Sequence, residues 1–260
     1  MSRNATALDA PWLSSLVSSI GPAQPLFAVV SGAHLYGFPS PDSDVDIRGA
    51  HVLPLESVLS LRPQRETHDR DETVDGMRID LVSHDIAKYL RLLVAKNGYV
   101  LEQITSPHVV VARPEFERLR ALASGFVNRT LYHHYRGFVR GRWKAFTSEE
   151  PKRVKTLLYV YRVLLTGMHL MSTGEVECNI IRLAAERNVD GIVELVERKR
   201  TGEATSMERD EVERHAQRIS MLEADMLRAY EHSSLPDSAP NIADIDRFLV
   251  DVRLAARSER

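Results

Sequence analysis

Asp44 and Asp46 stand two residues apart in Asp42-Ser43-Asp44-Val45-Asp46-Ile47-Arg48. In an extended chain such residues project from one side, while Val45 and Ile47 project from the other. The apolar pair suits a core. Two carboxylates on a common face repel unless solvent or a cation separates them. A hard divalent ion, Mg²⁺ or Mn²⁺, suits such oxygen ligands, especially when substrate phosphates complete its shell. Asp80, in Met77-Arg78-Ile79-Asp80-Leu81-Val82, lies on a second strand-like segment and can reach the same face from a neighbour. Two ions roughly 3.5–4 Å apart, bridged by carboxylates, stabilise the attacking and leaving oxygens of an in-line displacement. In that scheme Asp44 and Asp46 hold the ion that accompanies a triphosphate. Asp46 and Asp80 then hold the ion that acidifies an acceptor hydroxyl, unless Asp80 takes the proton itself. The bland counterpart is a solvated Asp-x-Asp at a strand end.

Positioning these carboxylates requires a sheet. Leu26–Val30 reads as a short buried strand, Ser43–Arg48 as a second and Met77–Val82 as a third, introduced by the turn signal Asp75-Gly76. An N-terminal helix spans Ala10–Ile20 and is stopped by Gly21-Pro22, and Pro54–Leu61 reads as a short helix. The charged run Arg62–Asp71 reads as a solvated loop. Ser83 is the expected N-cap of a helix starting at His84, with Ile86, Tyr89, Leu90 and Leu93 on one apolar face, and Tyr99–Ile104 forms the next. Beyond residue 110 the periodicity turns helical, over Pro114–Phe126, Leu131–Phe146, Pro151–Leu170, Asn179–Arg187 and Gly191–Tyr230. Ser233–Pro240 interrupts it before a final helix, Ile242–Ala256. The expected class is therefore α+β: a small mixed β-sheet domain flanked by helices over residues 1–110, then an all-helical domain over 111–260.

The 34 basic and 36 acidic residues leave a formal charge of −2, which implies no protein-wide field for nucleic acid but permits a local basic groove. Cys178 is the only cysteine, so no intrachain disulfide forms. The N-terminus lacks a signal-peptide core, and no stretch is apolar and long enough for a bilayer. A soluble cytoplasmic protein without a membrane partner is expected; oligomeric state is not legible.

The run Gly32-Ala33-His34-Leu35-Tyr36-Gly37 followed by Pro41-Asp42-Ser43-Asp44-Val45-Asp46-Ile47-Arg48-Gly49 resembles the DNA polymerase β-type nucleotidyltransferase superfamily. Within it the sequence is similar to a bacterial and phage group of minimal predicted nucleotidyltransferases. Ile79-Asp80-Leu81, the helix around Lys88-Tyr89-Leu90 and Asn97 extend the resemblance. Lys155, Tyr159 and Arg162 with Thr173-Gly174 echo it more weakly. The resemblance implies a metal-dependent transfer of a nucleoside monophosphate from a nucleoside triphosphate such as ATP. Asp44, Asp46 and Asp80 would be the catalytic and metal-binding residues. An RNA end, a small molecule and a protein hydroxyl all serve as acceptors for that geometry. The pattern departs at Ala33, where the family has serine, so a hydroxyl expected to bond phosphate is missing.

Gly32 and Gly37 allow backbone to approach phosphate oxygens, and Tyr36 is placed to stack on a base or pack beneath the motif. Ser43 or Ser31 can compensate for Ala33. Arg48 shares the Asp44/Asp46 face and can neutralise it or reach phosphate. Lys155 and Arg162, seven residues apart on one helical face, are the remaining nucleotide-binding candidates. His34, His133 and His134 lack the companions of a zinc site. Two rivals follow: a catalytically weak or inactive nucleotide-binding regulatory module, suggested by Ala33, and an interaction protein that uses its helical half.

Overall fold

The computed structural model describes residues 11–19, 24–62, 64–201, 207–239 and 242–258. Among these, a small mixed sheet flanked by helices is followed by an all-helical region. The described residues fall into two compact units. One is drawn from Met1–Leu35, Asp42–Phe126 and Ala239–Arg260, the other from Tyr36–Pro41 and Val127–Ser238. No described helix is long and apolar enough to cross a membrane.

The sheet of the first unit runs β3-β4-β2-β1-β5, with β1 at Gln24–Val30, β2 at Val45–Val52, β3 at Thr67–Val74, β4 at Met77–Asp85 and β5 at Val109–Ala112. β2 and β4 are parallel; the other neighbours are antiparallel. Alternation assigns the two faces. Val45, Ile47, Ile79 and Leu81 point to one, where α1 (Pro11–Ser18) covers them with Leu13 and Val17. The expected helix over 10–20 is thus observed within the described residues, while Ala10, Ile20 and the stop at Gly21-Pro22 lie outside them. On the other face Phe27 stacks on Phe116 at 4.2 Å between ring centroids and meets Tyr89 edge-on at 5.3 Å. These rings come from α6 (Glu115–Ser124) and α4 (Ile86–Val94), with α5 (Gly98–Ile104) alongside. Tyr89 is fully buried, yet its hydroxyl donates to the Val100 carbonyl and the Gln103 amide oxygen.

Several expectations change here. Arg62–Asp71 is not all loop, because β3 starts at Thr67 and pairs along β4. β5 is a further strand beyond the three that the sequence pattern marks. The helix after β4 starts at Ile86, and its N-cap is Asp85 rather than Ser83, since the Asp85 carboxylate accepts from Ala87 N. Pairing with Gly49, Ala50 and His51 of β2 keeps residues 83–85 in the sheet. Short α2 (Gly32–Tyr36) and α3 (Leu55–Leu59) complete the α/β region, and α12 (Ala243–Ser258) packs against α3, α4, α6 and β2.

In the second unit α8 (Val154–Thr173) is the hub. Buried at nearly every position from Leu157 to Met171, it is surrounded by α7 (Leu131–Ser148), α9 (Ile180–Glu186), α10 (Ile192–Arg200) and α11 (Arg209–Glu231). A helix apolar all round is one that neighbours enclose.

Candidate active site

Parallel pairing sets Asp46 of β2 directly beside Asp80 of β4, with Val45 against Ile79 and Ile47 against Leu81 on the apolar face. Register therefore places the two carboxylates on one face of adjacent strands. Asp44 lies just before β2, two residues from Asp46. The three side chains are 41%, 25% and 40% exposed for Asp44, Asp46 and Asp80, so each carboxylate keeps contact with solvent.

Arg48, one pleat further along β2, lies between the pair. Its Nη2 donates to Asp46 Oδ1 at 2.8 Å and to Asp80 Oδ2 at 2.7 Å. Its Nη1 donates to the carbonyl oxygens of Asp80 and Ile47 at 2.6 and 2.9 Å. Asp44 has a different partner: its Oδ2 is 3.7 Å from Arg78 Nη1. Arg78 also grips Asp71 of β3 through Nε and Nη2 at 3.1 and 2.6 Å. That hydrogen bond holds the Asp71 carboxyl below its usual range, while the same bond, with the charges of Asp71, Asp44 and Asp80, pushes the Arg78 guanidinium up.

Asp71 lies directly opposite Asp80 in the β3–β4 ladder. Carboxylates from three neighbouring strands thus stand in a row, interleaved with two guanidinium groups. Sequence reading missed Asp71 and Arg78. The period-two alternation that selected Asp80 also selects Arg78, and pairing outward from the Asp75-Gly76 turn selects Asp71.

Among the described residues, no three His, Cys, Asp or Glu side chains converge as a ready-made metal site. The pair Asp46 and Asp80 nevertheless already shares one cationic group, the Arg48 guanidinium. Hard carboxylate oxygens on both sides of a positive charge fit a divalent cation in chemistry and in sign. Asp44, engaged with Arg78, would have to turn to join them.

Gly32 is fitted to this arrangement. Its φ is +60°, and a Cβ built there would fall 1.8 Å from Asp46 Oδ2, so the carboxylate lies over the bare Cα. Ser31 N donates to the Asp46 carbonyl at 2.8 Å, which extends the β1–β2 contact to this point. Ala33 is buried, and Ser43 is half-buried.

The remaining candidates belong to the helical unit. Tyr36 is fully buried against Phe38 and Tyr159, with Arg162 Cζ 4.1 Å from its ring centroid. Arg162 is itself fully buried. Tyr36 packs as the second of its two sequence alternatives describes, and in this packing neither Tyr36 nor Arg162 is exposed. Burial across the Arg162 stripe follows from α8 being enclosed, and only Lys155, near the helix start, is exposed. At Gly37, φ is +83° and a Cβ would collide with the Asn179 side chain, so this glycine serves packing within the helical unit. His169, at the buried end of α8, pairs with Glu186 at 3.0 Å.

Comparison with solved structures finds a nucleotidyltransferase-like protein from Exiguobacterium sibiricum, 13% identical, matching 87% of this chain and 74% of that one at a TM-score of 0.31. Among curated sequences, the uncharacterized protein MJ0002 of Methanocaldococcus jannaschii is 35% identical over 153 residues, 58% of this chain and 62% of that protein. The uncharacterized protein YcgL of Bacillus subtilis is 29% identical over 191 residues, 70% and 72% of the respective lengths. The match therefore spans less than two thirds of the archaeal relative. The family model described as RlaP, the RNA repair pathway DNA polymerase beta family, matches residues 17–251, and the chain belongs to that family.

Proposed function

We propose that the protein transfers a nucleoside monophosphate from a nucleoside triphosphate, ATP among the candidates, to a hydroxyl at an RNA end, releasing pyrophosphate. The observation that carries this reading is the register apposition of Asp46 and Asp80, with Asp44 two residues before. The choice of an RNA end is supported by the family's description, which refers to an RNA repair pathway. Mg²⁺ or Mn²⁺, when bound, would neutralise the polyphosphate and acidify the acceptor hydroxyl. Asp44 and Asp46 would hold one ion, and Asp46 and Asp80 would hold the other. Arg48, released from the carboxylates, becomes a cation available to phosphate. The protein's contribution is chiefly fixed charge and position, as in phosphoryl transfer generally.

A panel of labelled triphosphates with Mg²⁺ or Mn²⁺ and short RNAs tests this directly. D46N and D80N should each lower turnover by about 10³-fold, several kcal/mol of lost charge stabilisation, with unchanged circular dichroism. Wild-type turnover in either variant sinks the reading. A second reading, nucleotide binding without turnover, is favoured by Ala33 and by the Arg48 bridge. It predicts tight triphosphate binding that survives D46N and no pyrophosphate release.

A further inference from the structure

Helix α7, Leu131–Ser148, reads LYHHYRGFVRGRWKAFTS and contains no acidic residue in its 18 positions. The whole chain is close to neutral, so this is a local excess. Arg136, Arg140 and Lys144 recur every four residues and are exposed. Side chains at that spacing form one row along a helix, successive members about 6 Å apart.

None of the three has a carboxylate partner among the described residues. Other arginines of the helical unit differ: Arg198 pairs with Glu211, Arg200 with Glu197, Arg209 with Glu213 and Arg228 with Asp225 on α10 and α11. Glu223 lines the groove of about 230 Å³ beside Arg136 and Arg140, yet it forms no ion pair with either.

A second observation is independent of charge. Gly137 and Gly141 are exposed on the same helix, each immediately following one of the arginines. A Cβ built at either would meet nothing within 4 Å. Glycine in a helix interior is unfavourable, and nothing among the described residues requires it at these two positions. Their effect is to keep the surface that flanks the row of cations low, so an outside backbone can come close.

We infer that the exposed face of α7 is a docking surface for an RNA strand, with Arg136, Arg140 and Lys144 on its phosphates and Gly137 and Gly141 giving the backbone close access. The choice of RNA rests on the proposed acceptor; the surface itself rests on α7. Repeating cations that form no internal ion pair match a repeating anion, and such contacts release counterions.

The test is fluorescence anisotropy of a labelled single-stranded RNA with the full chain over a salt series. R136Q/R140Q/K144Q should raise Kd at least about tenfold and reduce the slope of log K against log salt by about 2, roughly 0.7 per lost phosphate contact. G137Q/G141Q leaves every charge in place and should raise Tm through better helix propensity while weakening RNA binding. An unchanged Kd in either variant overturns the inference. So does equal or tighter binding of the matching DNA strand, of a polyglutamate peptide or of anionic vesicles. D46N separates this from the catalytic reading, since it should bind RNA like wild type. Wild-type turnover in D46N with RNA binding lost in the α7 variants would defeat the catalytic reading alone. Turnover on an RNA end with the same KM for RNA in wild type and in the α7 variants would defeat the inference alone.

Discussion

Arg48 holds Asp80 at two points: Nη2 lies 2.7 Å from the carboxylate Oδ2 and Nη1 lies 2.6 Å from the carbonyl oxygen. The same Nη2 reaches Asp46 at 2.8 Å. One guanidinium thus offsets the repulsion of two carboxylates that register has placed on adjacent strands. R48Q removes the charge and leaves the carboxylates facing each other. Metal-free stability should fall by about 1–2 kcal/mol, a modest figure because these groups are partly solvated. Mn²⁺ should then raise the Tm of R48Q more than that of wild type, since the ion no longer competes with an internal cation. Thermal scans with EDTA and with rising Mn²⁺ measure both effects; parallel shifts in the two proteins would exclude Arg48 as the stand-in cation.

Ala33 is where the chain lacks the serine of its superfamily pattern. Ala33 is buried, and serine in its place adds just one oxygen. A33S should lower the KM for triphosphate or raise kcat, by about 10- to 100-fold if the new hydroxyl makes a charge-assisted bond worth roughly 1.5–3 kcal/mol. Steady-state kinetics with a varied triphosphate separates the two outcomes. A slower variant with an unchanged fold would mean that this position does not face phosphate.

Much of this site was legible because strand alternation is a strict geometric rule. Period two put Asp44, Asp46 and Asp80 on faces opposite Val45, Ile47 and Ile79, and the sheet keeps that alternation. What was hidden depends on pairing rather than on pattern. Thr67–Val74 reads THDRDETV, with one apolar residue at its end, and gives no local reason for a strand. It forms at a sheet edge, where charged side chains are tolerated and the ladder to β4 supplies the hydrogen bonds. The Asp75-Gly76 turn carried the missing register. Both residues take positive φ, so Val74 faces Met77 and, three steps outward, Asp71 faces Asp80. The burial of Arg162 was hidden for a similar reason. A cation on a helix reads as a surface group until tertiary packing places a tyrosine ring against it.

Asp85 ends β4, caps α4 and pairs with Arg253 of α12, all with one buried carboxylate. Oδ1 accepts from Ala87 N at 3.0 Å and from Arg253 Nη2 at 2.5 Å, and Oδ2 accepts from Leu53 N at 3.1 Å. Arg253 also donates to the Leu53 carbonyl. Both side chains are nearly excluded from solvent, at 2% and 8% exposure. Removing one partner of such a pair strands the other's charge, so R253M should cost about 3–5 kcal/mol. Urea unfolding measures this as a fall in midpoint. D85N should cost comparably, because its amide keeps the size but cannot replace the carboxylate at both N–H groups and the guanidinium. A change below 1 kcal/mol in R253M would show that the pair is not a fastening point for α12.

His51 gives a pH dependence whose direction is fixed by burial. The ring is 3% exposed, with Nδ1 against Ser83 Oγ at 2.8 Å and its centroid 4.7 Å from that of His68. Burial first, then His68, His84 and Arg253, lower its pKa to about 4, with Asp85 pulling the other way. In the unfolded chain it returns to the ordinary value of 6.5. Above pH 6.5 the ring is neutral in both states and contributes no slope. Between about 6.5 and 4 the unfolded chain binds a proton that the folded protein excludes. Stability is therefore lost as pH falls through that window, by up to about 3 kcal/mol. His84, whose pKa burial also lowers, acts in the same direction. H51Q removes the larger contribution. It should be less stable than wild type at pH 7.5, where the native packing is intact, yet lose less between pH 7 and 4.5. Urea unfolding across that range should show the two proteins converging, and curves that stay parallel would show that His51 takes its proton as readily folded as unfolded.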